Sequence, residues 1–413
     1  MLIRDTYLKK IVAGFKIVQI VVLIGARQVG KTSIMKSCKW DRKNLFLDGQ
    51  DPEIAQLFQR LSDIEQYLKV YLDEKLDGYL LLDEFQYIYG ISTMLKLLTD
   101  KHPQLKILCS GSSSLDILQQ IEESLAGRVR TIEVLSLSFD EYLLFKDENL
   151  YKLYQSFDSD TNASALTATI EEALSEYLLY GGLPRTALTF NTDEKIEILD
   201  DIYKTYLLRD VRSYVANQDF VGFNKLLRLL ASQIGNLVNI NEISRQTGLA
   251  YKKCEEYLFL LEQMYIIKMI EPYFTNKRKV ISKMKKIYFC DLGLRNMLDG
   301  NFKELTFRND NGAIFENFVL LELWRNKKPG GTLQFYRTSD GVEVDFVLNQ
   351  LKEVLAIECK YKILQKPISI ASLNNFCKAE SIENKFIVNR NLNTTFNQTK
   401  LIQGFLVNRI AKG

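Results

Sequence analysis

Short apolar runs alternate with helical patterns over the first part of the chain, up to residue 145. Each run is bounded by polar turns, which is typical of buried parallel strands. The segments between the runs are long enough for crossover helices, so the pattern predicts a parallel sheet flanked by helices. The predicted strands are Ile17–Gly25, Asn44–Gly49, Tyr79–Glu84, Leu105–Ser112 and Thr131–Ser138.

After residue 145 the pattern becomes helical and later mixed, which divides the chain into four predicted parts. Amphipathic helical spacing over residues 146–218 predicts a helical lid on the sheet domain. Residues 219–285 hold three helical segments and then a strand, the order of a winged helix. Strands and helices alternate over residues 286–413 and predict a second α/β domain. The fold class is therefore α/β, with a parallel-sheet core over residues 1–145.

Composition places the 413-residue chain among globular proteins, with a hydrophobic fraction of 46% and a charged fraction of 25%. Its net charge of +3 is close to balanced and by itself indicates no nucleic-acid partner. Six scattered cysteines and one histidine argue against a disulfide framework, a zinc site or a histidine-centred triad. No apolar run approaches the roughly 20 residues that span a bilayer, so we expect a cytoplasmic protein without a membrane segment.

Residues 25–32 match the pattern G-x-x-x-x-G-K-[S/T], and they lie between a predicted strand and a predicted helix. Glycines at these positions let backbone N–H groups curl around phosphate oxygens at the positive end of a helix. Lys31 is expected to reach the β- and γ-phosphates of ATP, and Thr32 to hold magnesium. The predicted nucleotide-binding residues are Gly25, Ala26, Arg27, Gln28, Val29, Gly30, Lys31, Thr32 and Ser33.

Two adjacent acids, Asp83 and Glu84, follow a neighbouring apolar strand. We expect Asp83 to orient the magnesium ion and Glu84 to activate the attacking water. Ser110 or Ser112, at the end of the next strand, is a candidate to touch the γ-phosphate or that water. Arg128 is a candidate to reach the γ-phosphate of a neighbouring subunit, which would require a homo-oligomer, and a solvated surface charge is the alternative.

Six motifs occur in the order GARQVGKT, LLLDE, CSGSSS, LAGRV, YGGLPR and YLLRDV. In this order they resemble the AAA-superfamily ATPases of bacteria and archaea that carry a C-terminal domain of unknown function. The resemblance covers nearly the whole chain. It implies an ATPase core, a helical lid, a winged helix and a nuclease-like C-terminal domain. It also implies that Arg209, in the last motif, senses the nucleotide from the lid.

A second group of acids lies in the predicted C-terminal domain. Two strands joined by a turn near residues 351–352 would form a hairpin that places Asp345 opposite Glu358, with Lys360 beside them. Strict alternation along the first strand would put Val344 and Val347 on opposite faces. Opposed carboxylates repel each other unless a cation lies between them. Because carboxylate oxygens are hard ligands, Mg²⁺ or Mn²⁺ is the expected ion.

The order of an acid followed by E-x-K resembles the PD-(D/E)xK nuclease superfamily, which has a restriction-endonuclease-like α/β fold. The resemblance implies that the acids hold a metal and that the lysine stabilises charge near an attacking water. Glu316, on the preceding helix, is a further candidate ligand. Two alternatives stay open: an ordinary ion pair between Glu358 and Lys360, or a nuclease-like fold that binds DNA or protein without cleaving.

A basic stretch, Asn276–Lys286, follows the predicted winged helix and contains no acidic residue. A winged helix can place one helix in a DNA groove with nearby cations at phosphates, so DNA is a candidate partner, and packing beside an ATPase core is the alternative. Three functions fit the sequence: an ATP-driven switch or motor on nucleic acid, a nucleotide-gated scaffold for a protein partner, and an ATP-regulated nuclease. The candidate phosphate contacts are Lys277, Arg278, Lys279, Lys283, Lys285 and Lys286.

Overall fold

A computed structural model describes residues 3–112, 127–157, 164–273, 284–338 and 341–412. The chain divides into two compact units. The N-terminal unit comprises residues 1–135 and 263–265, and the C-terminal unit comprises residues 136–262 and 266–413. In the ranges that the structure describes, no helix combines the length and the apolar character needed to cross a bilayer.

The N-terminal unit is built on a five-stranded sheet. Its strands are β1 Ile20–Gly25, β2 Asn44–Asp48, β3 Tyr79–Asp83, β4 Lys106–Ser112 and β5 Val129–Glu133. They lie in the order β2-β3-β4-β1-β5, and all neighbours are parallel. The sheet confirms the predicted parallel architecture. The last strand differs from the prediction because it begins at Val129 and leaves the sheet after Glu133.

Local sequence features account for the buried face of the first helix and the starting residue of the third helix in the N-terminal unit. The first helix buries Tyr7, Ile11 and Gly14 at helical spacing. The third begins at Pro52, a residue suited to the first helical turn, and the Asp51 side chain caps it by accepting the Glu53 N–H. Among the described residues of this unit the helices are α1 Asp5–Phe15, α2 Lys31–Ser37, α3 Pro52–Leu57, α4 Leu61–Tyr71 and α5 Ile91–Lys101.

The C-terminal unit opens with helices, as predicted for residues 146–218. A π-helical stretch, Tyr203–Asp210, follows the fifth of them. Three more helices and a two-stranded antiparallel sheet follow, in the order predicted for residues 219–285. The elements are α6 Phe139–Lys146, α7 Glu148–Gln155, α8 Ser164–Tyr180, α9 Pro184–Ala187, α10 Thr192–Ile202, α11 Phe220–Ser232, α12 Ile240–Thr247, α13 Tyr251–Gln263, β6 Ile267–Ile270 and β7 Lys286–Phe289.

A six-stranded mixed sheet forms the rest of the C-terminal unit. Its elements are α14 Leu292–Asp299, α15 Asn311–Asn326, β8 Thr332–Arg337, β9 Glu343–Asn349, β10 Val354–Lys360, α16 Ala371–Ala379, β11 Asn384–Asn389, β12 Thr394–Phe396, β13 Thr399–Gln403 and α17 Asn408–Lys412. The strand order is β12-β13-β11-β10-β9-β8. Strands β10, β11 and β13 are parallel neighbours, and the remaining pairs are antiparallel.

The hairpin of β9 and β10 has the predicted register, with Phe346 opposite Ile357. Strict alternation along β9 is wrong, however. Val344 and Val347 pair with residues of β8 that are only two positions apart, so β9 carries one extra residue between them. This bulge brings Val344 and Val347 into the same apolar cluster. Bulges re-aim side chains, and Asp345 lies within this one.

Glu322, on α15, is a carboxyl buried in the C-terminal unit. Its Oε1 accepts hydrogen bonds from the Phe139 N–H at 3.1 Å and from Arg325 at 2.7 Å. Its Oε2 has no hydrogen-bond partner among the residues that the structure describes. Burial raises the pKa of Glu322 to about 7, although Arg325 acts in the opposite direction. Between about pH 4.5 and about pH 7, Glu322 therefore keeps its proton in the folded protein and releases it in the unfolded chain.

A Glu322→Gln variant is expected to gain stability relative to the natural protein as the pH rises. The contribution of a raised carboxyl pKa is complete below the unfolded value of about 4.5 and is lost as the pH passes through about 7. Between pH 5 and pH 8 the difference in unfolding free energy should therefore change by about 3 kcal/mol in favour of the variant. Urea unfolding at both pH values measures it. A difference that does not change with pH would mean that Glu322 is already ionised in the folded protein.

Candidate functional site

The loop between β1 and α2 has a backbone that requires glycine at both ends. At Gly25, with φ of 156°, an added Cβ would lie 2.0 Å from the carbonyl oxygen of Val134. Gly30, with φ of 93°, occupies the left-handed region immediately before α2. Gln28 also has a positive φ, 63°, which is uncommon for a residue with a side chain. The loop therefore leads directly into the free N–H groups at the start of α2, a favourable place for phosphate.

Lys31, the first residue of α2, is buried against the loop. Its Nζ donates to the carbonyl oxygens of Gly25 at 3.0 Å and Ala26 at 2.8 Å. Burial lowers the pKa of Lys31 to about 8, and the nearby Glu84 and Asp83 act against that shift. A buried ammonium group is poorly compensated by neutral carbonyls. An anion in the loop would compensate it better, so the position suits a triphosphate.

Thr32, in the first turn of α2, meets Asp83 at the carboxyl end of β3 and Ser110 in the second half of β4. The Thr32 hydroxyl donates to Asp83 Oδ2 at 2.6 Å. The Ser110 hydroxyl, which is fully buried, donates to Asp83 Oδ1. The structure thus brings Thr32 and Asp83 together, as the sequence suggested. The Ser110 hydroxyl is bonded to the Asp83 carboxylate, and contact of Ser110 or Ser112 with the γ-phosphate or the attacking water stays a prediction.

Glu84 follows β3 in a strained conformation. Its φ of 47° and ψ of 40° lie in the left-handed region, which costs about 1–3 kcal/mol for a residue with a Cβ. Its carboxylate accepts a hydrogen bond from the Gln86 side chain. Sequence reasoning missed Gly49, whose N–H donates to the Asp83 carbonyl at 2.8 Å and whose missing Cβ would lie 2.7 Å from the Glu84 carbonyl. A small residue at 49 therefore allows the backbone at Glu84 to take this shape.

Three family models match consecutive parts of the chain. An AAA domain matches residues 18–143, and two domains of unknown function, DUF8612 and DUF4143, match residues 171–305 and 311–404. A solved structure, a Walker-type ATPase of Pyrococcus abyssi, superposes with a TM-score of 0.50 over 72% of this chain and 96% of that chain, at 16% identity. The chain thus carries an AAA-type domain over residues 18–143 and a C-terminal domain of unknown function over residues 311–404.

Curated relatives of this AAA-type protein are themselves uncharacterized. One from Methanocaldococcus jannaschii is 27% identical over 377 residues, which cover 86% of this chain and 80% of the relative. Another, from Mycobacterium tuberculosis, is 27% identical over 329 residues, which cover 79% of this chain and 66% of the relative. The similarity to these relatives extends beyond the AAA domain. Because they are uncharacterized, they assign no activity to this chain.

Arg4 is a second residue of the N-terminal unit that sequence reasoning missed. It precedes α1, is buried, and donates from one guanidinium nitrogen to the carbonyl oxygens of Val29 at 2.8 Å and Leu135 at 2.9 Å. Its guanidinium carbon lies 4.4 Å from the centre of the Tyr7 ring. Because Val29 belongs to the phosphate loop, Arg4 ties that loop to the segment after β5. No sequence motif around Arg4 indicates this role.

An Arg4→Met variant is expected to lose about 2–4 kcal/mol of unfolding free energy. The change leaves the buried carbonyl groups of Val29 and Leu135 without this donor, and each such loss costs about 1–3 kcal/mol. Urea unfolding monitored by circular dichroism measures the loss. Lys9→Met, on the exposed face of α1, is the matched control and should change stability by less than about 0.5 kcal/mol. Equal stability of the two variants would show that Arg4 does not hold the loop.

The two arginines predicted to complete the AAA site lie elsewhere or outside the described residues. Arg128 forms an ion pair with Asp100 and lies just before β5, whose first residue Val129 pairs with Ile20 at the beginning of β1. Arg128 therefore lies at the amino ends of the strands, whereas the phosphate loop of the same chain lies at their carboxyl ends. Its predicted contact with the γ-phosphate of a neighbouring subunit stays a prediction. The side chain of Arg209 lies outside the described residues.

The predicted acids of the C-terminal unit are each already bonded within the protein. Glu316 Oε1 accepts hydrogen bonds from Lys286 Nζ at 3.0 Å and from the Tyr288 hydroxyl at 2.6 Å. Asp345 Oδ2 accepts the Cys359 N–H at 2.7 Å. Burial and the neighbouring Glu316 raise the pKa of Asp345 well above its usual value.

Glu358 forms an ion pair with Lys360, which was one of the alternatives to a metal site. Its Oε1 accepts from Lys360 Nζ at 2.7 Å, and its Oε2 has no hydrogen-bond partner among the residues described. Burial raises the pKa of Glu358, and Lys360 counteracts that shift. Within the described ranges, no three Asp, Glu, Cys or His side chains are grouped so that they could hold a metal ion. The predicted ligand set of Glu316, Asp345 and Glu358 is thus not arranged as a metal site.

The basic stretch predicted to contact DNA is only partly described. Lys285 forms an ion pair with Glu271 at 3.0 Å. Lys286 is buried and pairs with Glu316 and Glu343, so it is not a surface cation that could reach a phosphate. The other four candidates, Lys277, Arg278, Lys279 and Lys283, lie outside the described residues.

Proposed function

We propose that this protein binds ATP with magnesium at residues 25–32 and hydrolyses it to ADP and phosphate. The observation that carries the proposal is the pair formed by the Thr32 hydroxyl and the Asp83 carboxylate, 2.6 Å apart. The pair lies beside the buried amine of Lys31, in a loop whose glycines have no room for a side chain or adopt a left-handed backbone. The AAA-domain match over residues 18–143 supports the same conclusion.

The oxygen donors at this position fit a magnesium ion. Magnesium prefers hard oxygen ligands and is held in many nucleotide sites by one or two protein groups together with phosphates. Thr32 and Asp83 supply such a hydroxyl and carboxylate, and Ser110 fixes the carboxylate from its other oxygen. When bound, magnesium would neutralise charge on the phosphate oxygens.

The protein side chains have separate tasks in the proposed reaction. Lys31 exchanges its bonds to the Gly25 and Ala26 carbonyls for bonds to triphosphate oxygens. The loop N–H groups and the start of α2 hold the remaining phosphate charge. Glu84 accepts a proton from the attacking water, a role for which its carboxylate is placed one residue beyond Asp83. The strained backbone of Glu84 is consistent with a position fixed for function.

Phosphate release from ATP by the purified full-length chain tests the proposal. Turnover is expected with ATP and Mg²⁺ and should disappear when EDTA removes the ion. Binding of a fluorescent ATP analogue, measured in parallel, separates affinity from turnover. Tight binding without any turnover would instead favour a nucleotide-gated protein that docks a partner, and no binding at all would contradict both functions.

The described residues do not support extending the proposal to DNA. Lys285 and Lys286, the two candidate phosphate contacts that the structure describes, both pair with acids. Helix α13, which a winged helix would place in a groove, offers phosphates no net positive charge, because its charged residues are Lys252, Lys253, Glu255, Glu256 and Glu262. We therefore propose the nucleotide cycle alone.

A further inference from the structure

Lys286 is a lysine enclosed by carboxylates in the C-terminal unit. Its side chain is 3% exposed, and its Nζ contacts Glu316 at 3.0 Å and also Glu343. The ammonium group therefore supplies positive charge to two carboxylates at once.

We propose that Lys286 is an internal counter-cation that takes the place of a divalent metal ion among the C-terminal acids. Strand β7 carries Lys286, and the contacted acids lie on α15 and β9, so one side chain joins three elements. A metal ion that used Glu316 as a ligand would have to displace Lys286 and Tyr288, to which Glu316 is already bonded. The acids of this cluster thus serve the fold without a metal.

The remaining charges of the cluster are also balanced from within the protein. Arg337 pairs with Glu343 at 3.0 Å, and Lys360 pairs with Glu358 at 2.7 Å. Asp345 Oδ2 accepts the Cys359 N–H from the bulged part of β9. Glu358 Oε2 is a buried oxygen without a hydrogen-bond partner among the residues described. Each of the acids named in this cluster is thus already engaged by a cation or an N–H group of the protein.

The neutralised cluster has a consequence for the activity of the domain. Metal-dependent phosphodiester hydrolysis requires an ion to stabilise the attacking and leaving oxygens. If Lys286 holds that position, the domain cannot perform this chemistry, whether or not the N-terminal unit hydrolyses ATP. The C-terminal acids would then belong to a nuclease-like fold of the kind given as an alternative above, one that binds a partner without cleaving phosphodiester bonds.

Manganese binding to the full-length protein without nucleotide tests the proposal. Free Mn²⁺, counted by its electron paramagnetic resonance signal, should give less than about 0.1 bound ion per chain at about 1 mM for the natural protein, because the C-terminal acids are paired within the protein and the proposed Thr32–Asp83 site lacks the phosphates that complete it. Lys286→Met should bind one ion, at least tenfold more tightly than the natural protein. Its melting temperature should fall without metal, because the carboxylates that contacted Lys286 lose their cation. It should rise again with Mn²⁺, which supplies a new one. The added Asp345→Asn change should abolish both effects.

Lys285→Met is the matched control, because Lys285 is the adjacent lysine but is 43% exposed and pairs with Glu271. It should bind no more manganese than the natural protein. One ion bound by the natural protein and removed by Asp345→Asn would overturn the proposal. A folded Lys286→Met that gains no ion would overturn it as well, since Lys286 would not occupy a metal position. If Lys286→Met does not fold without metal, the comparison of the natural protein with Asp345→Asn still decides, and folding on addition of Mn²⁺ would support the proposal.

Discussion

A Glu84→Gln variant is expected to bind ATP as tightly as the natural protein and to hydrolyse it at least 100-fold more slowly. The amide has nearly the shape of the carboxylate but cannot accept the proton of the attacking water, and general-base catalysis contributes about 10²–10⁴-fold to a rate. Binding should survive because the phosphate contacts come from Lys31, Thr32 and the loop backbone. The left-handed backbone at residue 84 is no worse for glutamine than for glutamate.

Single-turnover hydrolysis and equilibrium binding of a fluorescent ATP analogue measure the two properties separately. Glu53→Gln, at an exposed position of α3 in the same unit, is the matched control and should leave both unchanged. Unchanged turnover in Glu84→Gln would remove Glu84 from the reaction. Loss of binding together with turnover would show that Glu84 acts through the shape of the site, because its carbonyl oxygen and that of Asp83 lie close to Gly49.

The sheet and the phosphate loop could be predicted because their signals are local. Each buried strand is a continuous apolar run, and the pattern from Gly25 to Thr32 fixes both the turn and the helix that follows. Asp83 was predictable for the same reason, since it ends one of those runs. The carboxyl ends of parallel strands meet at one edge, and β3 and β1 both flank β4, so Asp83 at the end of β3 lies near Thr32 in the helix that follows β1.

Residues whose partners are distant in sequence could not be predicted in this way. Arg4 donates to Leu135, 131 positions away, and nothing near Arg4 marks that contact. Ser110 or Ser112 was only a candidate to touch the γ-phosphate or the attacking water, because a serine at a strand end can point either to a ligand or to a neighbouring side chain. Only the pairing of β3 with β4 shows that Asp83 is the closer acceptor.

The C-terminal acids show the same limit more strongly. The hairpin register followed from the turn position and is correct, yet the bulge in β9 changed which side chains share a face. Lys286 belongs to a basic stretch and therefore resembled a solvated cation. Its strand instead carries it into the interior beside Glu316, 30 positions away. Spacing alone cannot distinguish a metal site from an internal salt bridge that uses the same acids.

A Lys31→Ala variant is expected to bind ATP at least tenfold more weakly and to lose about 10²–10³-fold in turnover. A charge-assisted hydrogen bond contributes about 1.5–3 kcal/mol to binding, and loss of one donor to the developing charge slows a reaction by that range. The change should not unfold the protein, because a buried ammonium facing the Gly25 and Ala26 carbonyls is poorly compensated before ATP binds.

Calorimetric titration with magnesium–ATP measures this effect, and a melting curve without nucleotide excludes unfolding as its cause. Lys36→Ala removes an exposed lysine from the last turn of the same helix α2, so it is the control for helix propensity and net charge. Lys36→Ala should keep full affinity, since that end of the helix is remote from the loop. If both variants bind ATP equally well, the phosphates do not rest against Lys31, and the proposed nucleotide site is wrong.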